Sequence, residues 1–199
     1  MAAAPHLVLA SASPRRAELL RGIGAHFTVE PADVDETPRT GEQPTDYVVR
    51  LARAKAEQVA APGRVTVGAD TTVAVDDEIL GKPGDADEAR RMLRRLSGRA
   101  HEVHTGLAVV TADPGGATEV VGTGVTTHVW MTDLDDDTID WYVATGEPLD
   151  KPGAYGIQGA AGLFVSYVHG NYQNVVGLPL ADLDELLAEV GHRLLDWVR

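Results

Sequence analysis

The spacing of apolar and polar positions changes rhythm several times along the chain. Leu7 to Ala10 form a short unbroken apolar run, which predicts a buried strand. Leu19, Leu20 and Ile23 then recur at helical intervals, predicting a helix over 14–21 that Gly22 and Gly24 stop. An extended segment at 26–30 and the polar loop PADVDETPRTGEQP precede a second helix over 46–60, capped by Thr45 and ended by APG. RVTVGADTTVAV is apolar and β-branched, hence a strand, and DDE turns it. ILGKPG leads into a helix at about 86–96 capped by Asp85. AHEVHTGLAVV and EVVGTGVTTHVWM read as paired strands around the loop TADPGGAT. A helix at 134–145 and the glycine-rich loop GEPLDKPGAYGIQGAAG follow, then short strands at 163–168 and 172–176 and a helix from about 181. The mixture predicts α/β or α+β architecture on a mixed sheet. A cleft lined by the loops at 11–16, 31–37, 68–83 and 150–160 is the natural place for a site.

Three cations break the pattern. Pro14 suits the first position of its helix, which makes Ser13 the N-cap and puts Arg15 and Arg16 in the first turn. Each cation there opposes the helix dipole by about 0.3–1 kcal/mol. Arg16 also falls among Leu19, Leu20 and Ile23. An anion at that terminus would be held by backbone N–H groups, the Ser11 and Ser13 hydroxyls and both guanidiniums, and arginine's planar fork suits phosphate. An internal salt bridge is the alternative. On the second helix Val48, Leu51, Ala52 and Val59 form one face, with Arg50, Arg53 and Glu57 opposite. Lys55 lies in the middle of the apolar face. A buried ammonium needs an anion or a cleft, unless its stem carries the charge out to water.

The acids complete the set. Asp70 interrupts an apolar strand after Gly68 and Ala69, which leave space beside it. VDET supplies Asp35 and Glu36. Carboxylates near phosphate suggest Mg²⁺, which takes few protein ligands and fills its shell with phosphate oxygens and water. Lys82 follows Asp70 by twelve residues, enough for a hairpin to return it beside the acid. A turn-capping Asp70 and a solvated Glu36 are the plainer readings of each residue alone. His101 and His104 stand three apart on a strand, on opposite faces, which is not a zinc pattern. TDLDDDT fits the acidic first turn of a helix, and the stripe Leu183, Leu186, Leu187, Val190, Leu194 fits core packing. No Walker A, G-x-S-x-G or G-x-G-x-x-G pattern occurs.

Composition narrows the classes. The net charge of −13 argues against nucleic acid or anionic membrane as a partner, so local positive clusters stand out. Of 17 basic residues only three are lysine: Lys55, Lys82 and Lys151. The absence of cysteine excludes a thiol nucleophile. MAAAPHLVLA lacks the pattern of a secretory signal and no run is long enough for a membrane span, so the expected compartment is the cytoplasm. With 199 residues the expectation is one domain over 1–199, in two lobes.

SASPRRAELL, GADTTV, GKP, LSGRAHEVHTG, DKPGAYGIQG and NVVGLPL occur in an order that resembles the Maf family of nucleoside triphosphate pyrophosphatases, over about residues 7–187. The resemblance implies a twisted mixed sheet with flanking helices and a deep cleft between two lobes, related to inosine triphosphate pyrophosphatases. It implies hydrolysis of a nucleotide to monophosphate and pyrophosphate with Mg²⁺ or Mn²⁺, usually in a homodimer. The family's substrate loop falls on Ser11, Ser13, Arg15 and Arg16, and its catalytic and metal-binding acids on Glu36 and Asp70. Its lysines fall on Lys55, Lys82 and Lys151. Arg15, Thr71 and Gln158 match members that prefer dTTP and UTP; members acting on 7-methyl-GTP differ there. The glutamine amide offers the donor and acceptor that a uracil or thymine edge requires. Pro152 departs from the small residue the resemblance leads one to expect. A 7-methyl-GTP or broad-specificity pyrophosphatase, or a non-catalytic nucleotide sensor acting on cell division, are the alternatives.

Overall fold

The computed structural model describes residues 5–113, 115 and 117–198, so Met1–Ala4 of the N-terminal stretch and Pro114 and Gly116 of the TADPGGAT loop lie outside the described residues. Among the described residues seven strands form one mixed sheet: β1 (His6–Ala10), β2 (Thr28–Val29), β3 (Arg64–Val75), β4 (Glu78–Leu80), β5 (Ala100–Ala112), β6 (Thr118–Met131) and β7 (Val165–His169). Their order is β2-β1-β3-β5-β6-β7, with β4 paired to β3. The helices are α1 (Pro14–Gly22), α2 (Pro44–Val59), α3 (Ala86–Leu96), α4 (Asp136–Ala144), α5 (Tyr172–Val176) and α6 (Leu180–Glu189). The chain forms two compact units, and β3, β5 and β6 contribute to both.

The first unit comprises the chain to Asp70, Thr105–Val125 and the segment from Gly177 onward. Parallel β1 and β3 pair from His6↔Arg64 to Ala10↔Gly68. Their odd-numbered residues, including Leu7, Leu9, Val65 and Val67, pack with Leu20 of α1 and Leu183 and Leu187 of α6. On the other face α2 places Ala52 and Ala56 against Ala108 and Val110 of β5. Both faces are therefore covered, which is why these strands read as apolar runs rather than alternations.

Glycines set how closely α2 approaches. A Cβ at Gly68 would meet the Ala52 carbonyl oxygen at 2.1 Å, and one at Gly106 the Val48 carbonyl oxygen at 2.2 Å. The helix backbone thus lies directly on β3 and β5. Lys55 is carried to the strand level where Asp70 lies two residues beyond Gly68 on the same face.

The second unit, Thr71–His104 and Thr126–Val176, packs α3 and α4 on Val73, Val103 and Val129 around Leu93, Leu96, Ile139 and Tyr142. Asp85 caps α3 by accepting from the Glu88 N–H at 2.7 Å, and Asp135 caps α4 by accepting from Thr138 at 2.8 Å. Both ends match the acidic N-terminal signals.

Several boundaries differ from expectation. Helix α2 starts at Pro44 behind Gln43, not behind a Thr45 cap, because proline fits the first helical position and Gln43 is already extended. The extended segment at 26–30 shortens to Thr28–Val29, and the strand expected at 163–168 runs over Val165–His169. Tyr172–Val176 is a helix rather than a strand. There the Asn171 side chain accepts from the Gln173 and Asn174 N–H groups at 2.9 and 3.3 Å. Asn174, fully buried, donates to Val103 O and Thr127 Oγ1, both at 2.9 Å. This local capping outweighs the β preference of YQNVV. Helix α6 ends at Glu189, so Leu194 of the expected stripe belongs to a separate 3₁₀ turn, Leu194–Trp197, and is buried there.

Candidate active site

Within the first unit, the structure brings Ser11, Arg16, Glu36, Lys55 and Asp70 into one set of interactions. Lys55 is only 8% exposed, so its stem does not carry the charge to water. Its ammonium donates to Glu36 Oε1 at 2.5 Å and to Asp70 Oδ1 at 2.6 Å. Asp70 is itself 7% exposed, while the Glu36 side chain is about half exposed. Burial pushes the Asp70 carboxyl above the usual range, and Lys55 and Arg16 pull against that. An ammonium bridging two carboxylates, one of them buried, is a local concentration of charge whose desolvation is costly.

Arg16 is buried as its stripe position suggests. Its Nε donates to Gly177 O at 2.8 Å, and its Nη1 to Ser11 Oγ at 2.9 Å and Ala69 O at 2.8 Å. The acceptors at Gly177, Ser11 and Ala69 are neutral oxygens. Burial lowers the Arg16 pKa from the ordinary value, with Asp70 the main opposing influence. Ser13 is the N-cap of α1 without a side-chain capping bond, its N–H donating to Ser11 Oγ at 3.2 Å. Arg15 follows in the first turn, partly exposed, and that turn contains no acidic residue.

The loop bearing Glu36 is fixed from α2. Tyr47 Oη donates to Glu36 O at 2.9 Å, and Arg50 Nη2 to Thr37 O at 3.2 Å. Burial raises the Tyr47 pKa to about 12, aided by the Asp70 and Glu36 charges, so the phenol remains a donor. Arg50 also grips Glu42 at 2.6 and 2.8 Å. Asp35 accepts from the Thr37 N–H at 2.9 Å, which makes it a turn former here. The polar face of α2 carries no periodic signal for these contacts. The signal available was that Tyr47, Leu51 and Lys55 stand at helical intervals on one face.

The Glu42–Arg50 pair has a pH consequence. Hydrogen bonds from Arg50 lower the Glu42 pKa from 4.5 to about 2. A depressed carboxylate contributes stability that is present above its unfolded pKa and lost as pH falls towards the folded one. Thermal unfolding followed between pH 5 and pH 2 is expected to show a smaller fall for Glu42→Gln than for wild type; equal slopes would remove Glu42 from the account.

Thr71, Lys82, Lys151 and Gln158 belong to the second unit. Lys82 is exposed, two residues past Leu80, whose strand partner is Val73. Lys151 Nζ donates to Glu147 O at 2.7 Å and Asp150 Oδ1 at 2.6 Å. Pro152 occupies the start of the 3₁₀ turn Pro152–Ala154, which accounts for its tolerance in this loop. Gln158 is exposed and Thr71 partly so. His101 and His104 meet different partners, Tyr155 Oη at 2.8 Å and Thr126 Oγ1 at 2.9 Å, as expected for opposite faces.

Among the described residues no group of three or more His, Asp or Glu side chains is arranged to hold a metal. Glu36 and Asp70 nevertheless suit Mg²⁺ or Mn²⁺ in their donor chemistry. Both present hard carboxylate oxygens to a single cation, Lys55, and Mg²⁺ characteristically takes one or two carboxylates together with substrate phosphates.

Buried Arg16 from α1, Lys55 from within α2 and Asp70 from the middle of β3 thus stand on a mixed α/β sheet, an arrangement in keeping with an enzyme that handles an anionic substrate. Residues 6–190 match the family model described as Maf-like protein, and the chain belongs to that family. It is 54% identical over 191 residues to the dTTP/UTP pyrophosphatase of Anaeromyxobacter dehalogenans strain 2CP-C, covering 96% of this chain and 97% of that protein. It is 50% identical over 193 residues to that of Geotalea uraniireducens, covering 96% and 98%. With that of Myxococcus xanthus it shares 53% identity over 187 residues, covering 93% and 92%.

Proposed function

We propose that this chain hydrolyses nucleoside triphosphates between the α- and β-phosphorus, with dTTP and UTP as preferred substrates, releasing the monophosphate and pyrophosphate. The observation that carries the reading is the Glu36–Lys55–Asp70 cluster beside buried Arg16. Relatives at 50–54% identity that bear the name dTTP/UTP pyrophosphatase support the reaction and the bases.

Asp70 accepts a proton from the water that attacks the α-phosphorus. A water oxygen–phosphorus bond forms, the α–β bridging bond breaks, and its electron pair leaves on pyrophosphate. Lys55 holds the Asp70 carboxylate in place, and its charge, with those of Arg15, Arg16 and Lys82, offsets the negative charge building on the phosphates. Ser11 and Ser13 bind the same phosphates at the start of α1. Glu36 and Asp70 would hold a divalent cation, which supplies Lewis acidity to the phosphate oxygens when bound. Thr71, Lys151 and Gln158 recognise the nucleoside. The reading includes a cytoplasmic setting, where nucleoside triphosphates reside, and a homodimer. No described helix is long and apolar enough to cross a membrane.

A panel of standard and modified triphosphates scored for pyrophosphate with Mg²⁺ tests this. UTP and dTTP are expected to exceed ATP and 7-methyl-GTP. A leading 7-methyl-GTP would overturn the base assignment, and stoichiometric UTP binding without pyrophosphate would favour a sensor. Gln158→Leu should lower kcat/KM for UTP by about 10–100-fold, since an imide edge left unpaired costs about 1–3 kcal/mol. An unchanged value would remove Gln158 from base recognition.

A further inference from the structure

Helix α2 reaches the loop bearing Glu36 at three points. The Lys55 ammonium meets the Glu36 carboxylate, the Tyr47 hydroxyl donates to the Glu36 carbonyl at 2.9 Å, and Arg50 donates to the next carbonyl, Thr37, at 3.2 Å. Arg50 is anchored in turn by two bonds to Glu42 and lies over the Tyr47 ring, 5.5 Å from its centroid. Glu42 accepts from the Arg39 N–H at 2.9 Å, so both the Glu36–Thr37 peptide and the later turn are tied to one helix. We propose that Tyr47 and Arg50 are positioning residues that hold the backbone at Glu36 and Thr37 so that the Glu36 carboxylate stays turned towards Lys55 and Asp70.

Glu36 sits in a stretch without helix or strand between β2 and α2, and its side chain is about half exposed. An exposed glutamate outside helix or strand has several side-chain and backbone conformations open to it, and holding it in one costs conformational entropy. The ion pair to Lys55 acts on the carboxylate end. Bonds to two successive backbone carbonyls fix the other end. Tyr47 is only 8% exposed and donates from a rigid ring, so the constraint is stiff. Groups of this kind, which orient a ligand without touching what it binds, characteristically change metal affinity or activity about 10–100-fold when removed.

This inference rests on the proposed reaction, in which Glu36 and Asp70 serve a divalent cation. Tyr47→Phe removes one hydroxyl and retains the ring under Arg50; Arg50→Lys retains the charge but not the fork. Mn²⁺ affinity, measured by electron paramagnetic resonance of free Mn²⁺ without substrate, is expected to fall about tenfold in either variant. The Mg²⁺ concentration for half-maximal UTP turnover should rise in parallel, with kcat at saturating Mg²⁺ and KM for UTP changing less. In the Glu36→Gln background the effect of Tyr47→Phe should disappear, since both act on one carboxylate. Unchanged Mn²⁺ affinity in both variants, or an equal effect with and without Glu36, overturns the positioning role. A wild type that binds Mn²⁺ but releases no pyrophosphate would instead reject the reaction, and the Mn²⁺ titrations would still decide the role of Tyr47 and Arg50.

Discussion

Asp70→Asn is expected to lose about 10²–10⁴-fold in pyrophosphate release, the contribution of a well-placed proton acceptor. The substitution keeps the size and shape of a side chain that is 7% exposed, so the strand and its neighbours stay in place. Lys55 retains its bond to Glu36, and Arg16 retains its bonds to Gly177, Ser11 and Ala69. UTP binding, measured by calorimetry, should therefore survive while turnover fails. Loss of both together would mean that Asp70 holds substrate rather than accepting a proton, and near-normal turnover would remove it from the chemistry.

Gly68→Ala is expected to damage both stability and activity. The added methyl would stand 2.1 Å from Ala52 O and 2.9 Å from the Ala56 Cβ and backbone N, atoms that cannot rotate away. Helix α2 must lift off β3, and overpacking of this kind costs about 1–3 kcal/mol or more. For a chain of this size each kcal/mol lowers Tm by about 2–4 °C. The displacement also carries Lys55 away from Asp70, so turnover should fall further than the population unfolded explains. Gly22→Ala, at the end of α1 with nothing within 4 Å of the new Cβ, is the control and should change stability by less than about 0.5 kcal/mol. Equal melting of the two variants would mean that close seating of α2 is not required.

Periodicity gave good access to elements whose side chains decide their fate. The boundaries of β3 and α3 follow directly from apolar pattern and caps, and Arg16 and Lys55 were conspicuous because a charge on an apolar stripe has few stable destinations. What pattern did not carry is contact to backbone. Arg16 donates to the carbonyls of Ala69 and Gly177, the latter 161 residues away along the chain. Tyr47 and Arg50 likewise act on carbonyls of an irregular loop, and no spacing rule indexes those. YQNVV failed as a strand for a related reason: Asn171 and Asn174 supply a cap and a buried tether that outweigh its valines. The closeness of α2 to the sheet was half visible, since Gly68 marked space beside Asp70, but the space holds a helix backbone.

Hydrolysis of dTTP in ¹⁸O-labelled water, with the products resolved by mass spectrometry, tests the central claim most directly. If water is activated at Asp70 and attacks the α-phosphorus, the wild-type protein will place one heavy oxygen in dTMP and none in pyrophosphate. Label in pyrophosphate, or dTDP with inorganic phosphate as the products, would contradict the account.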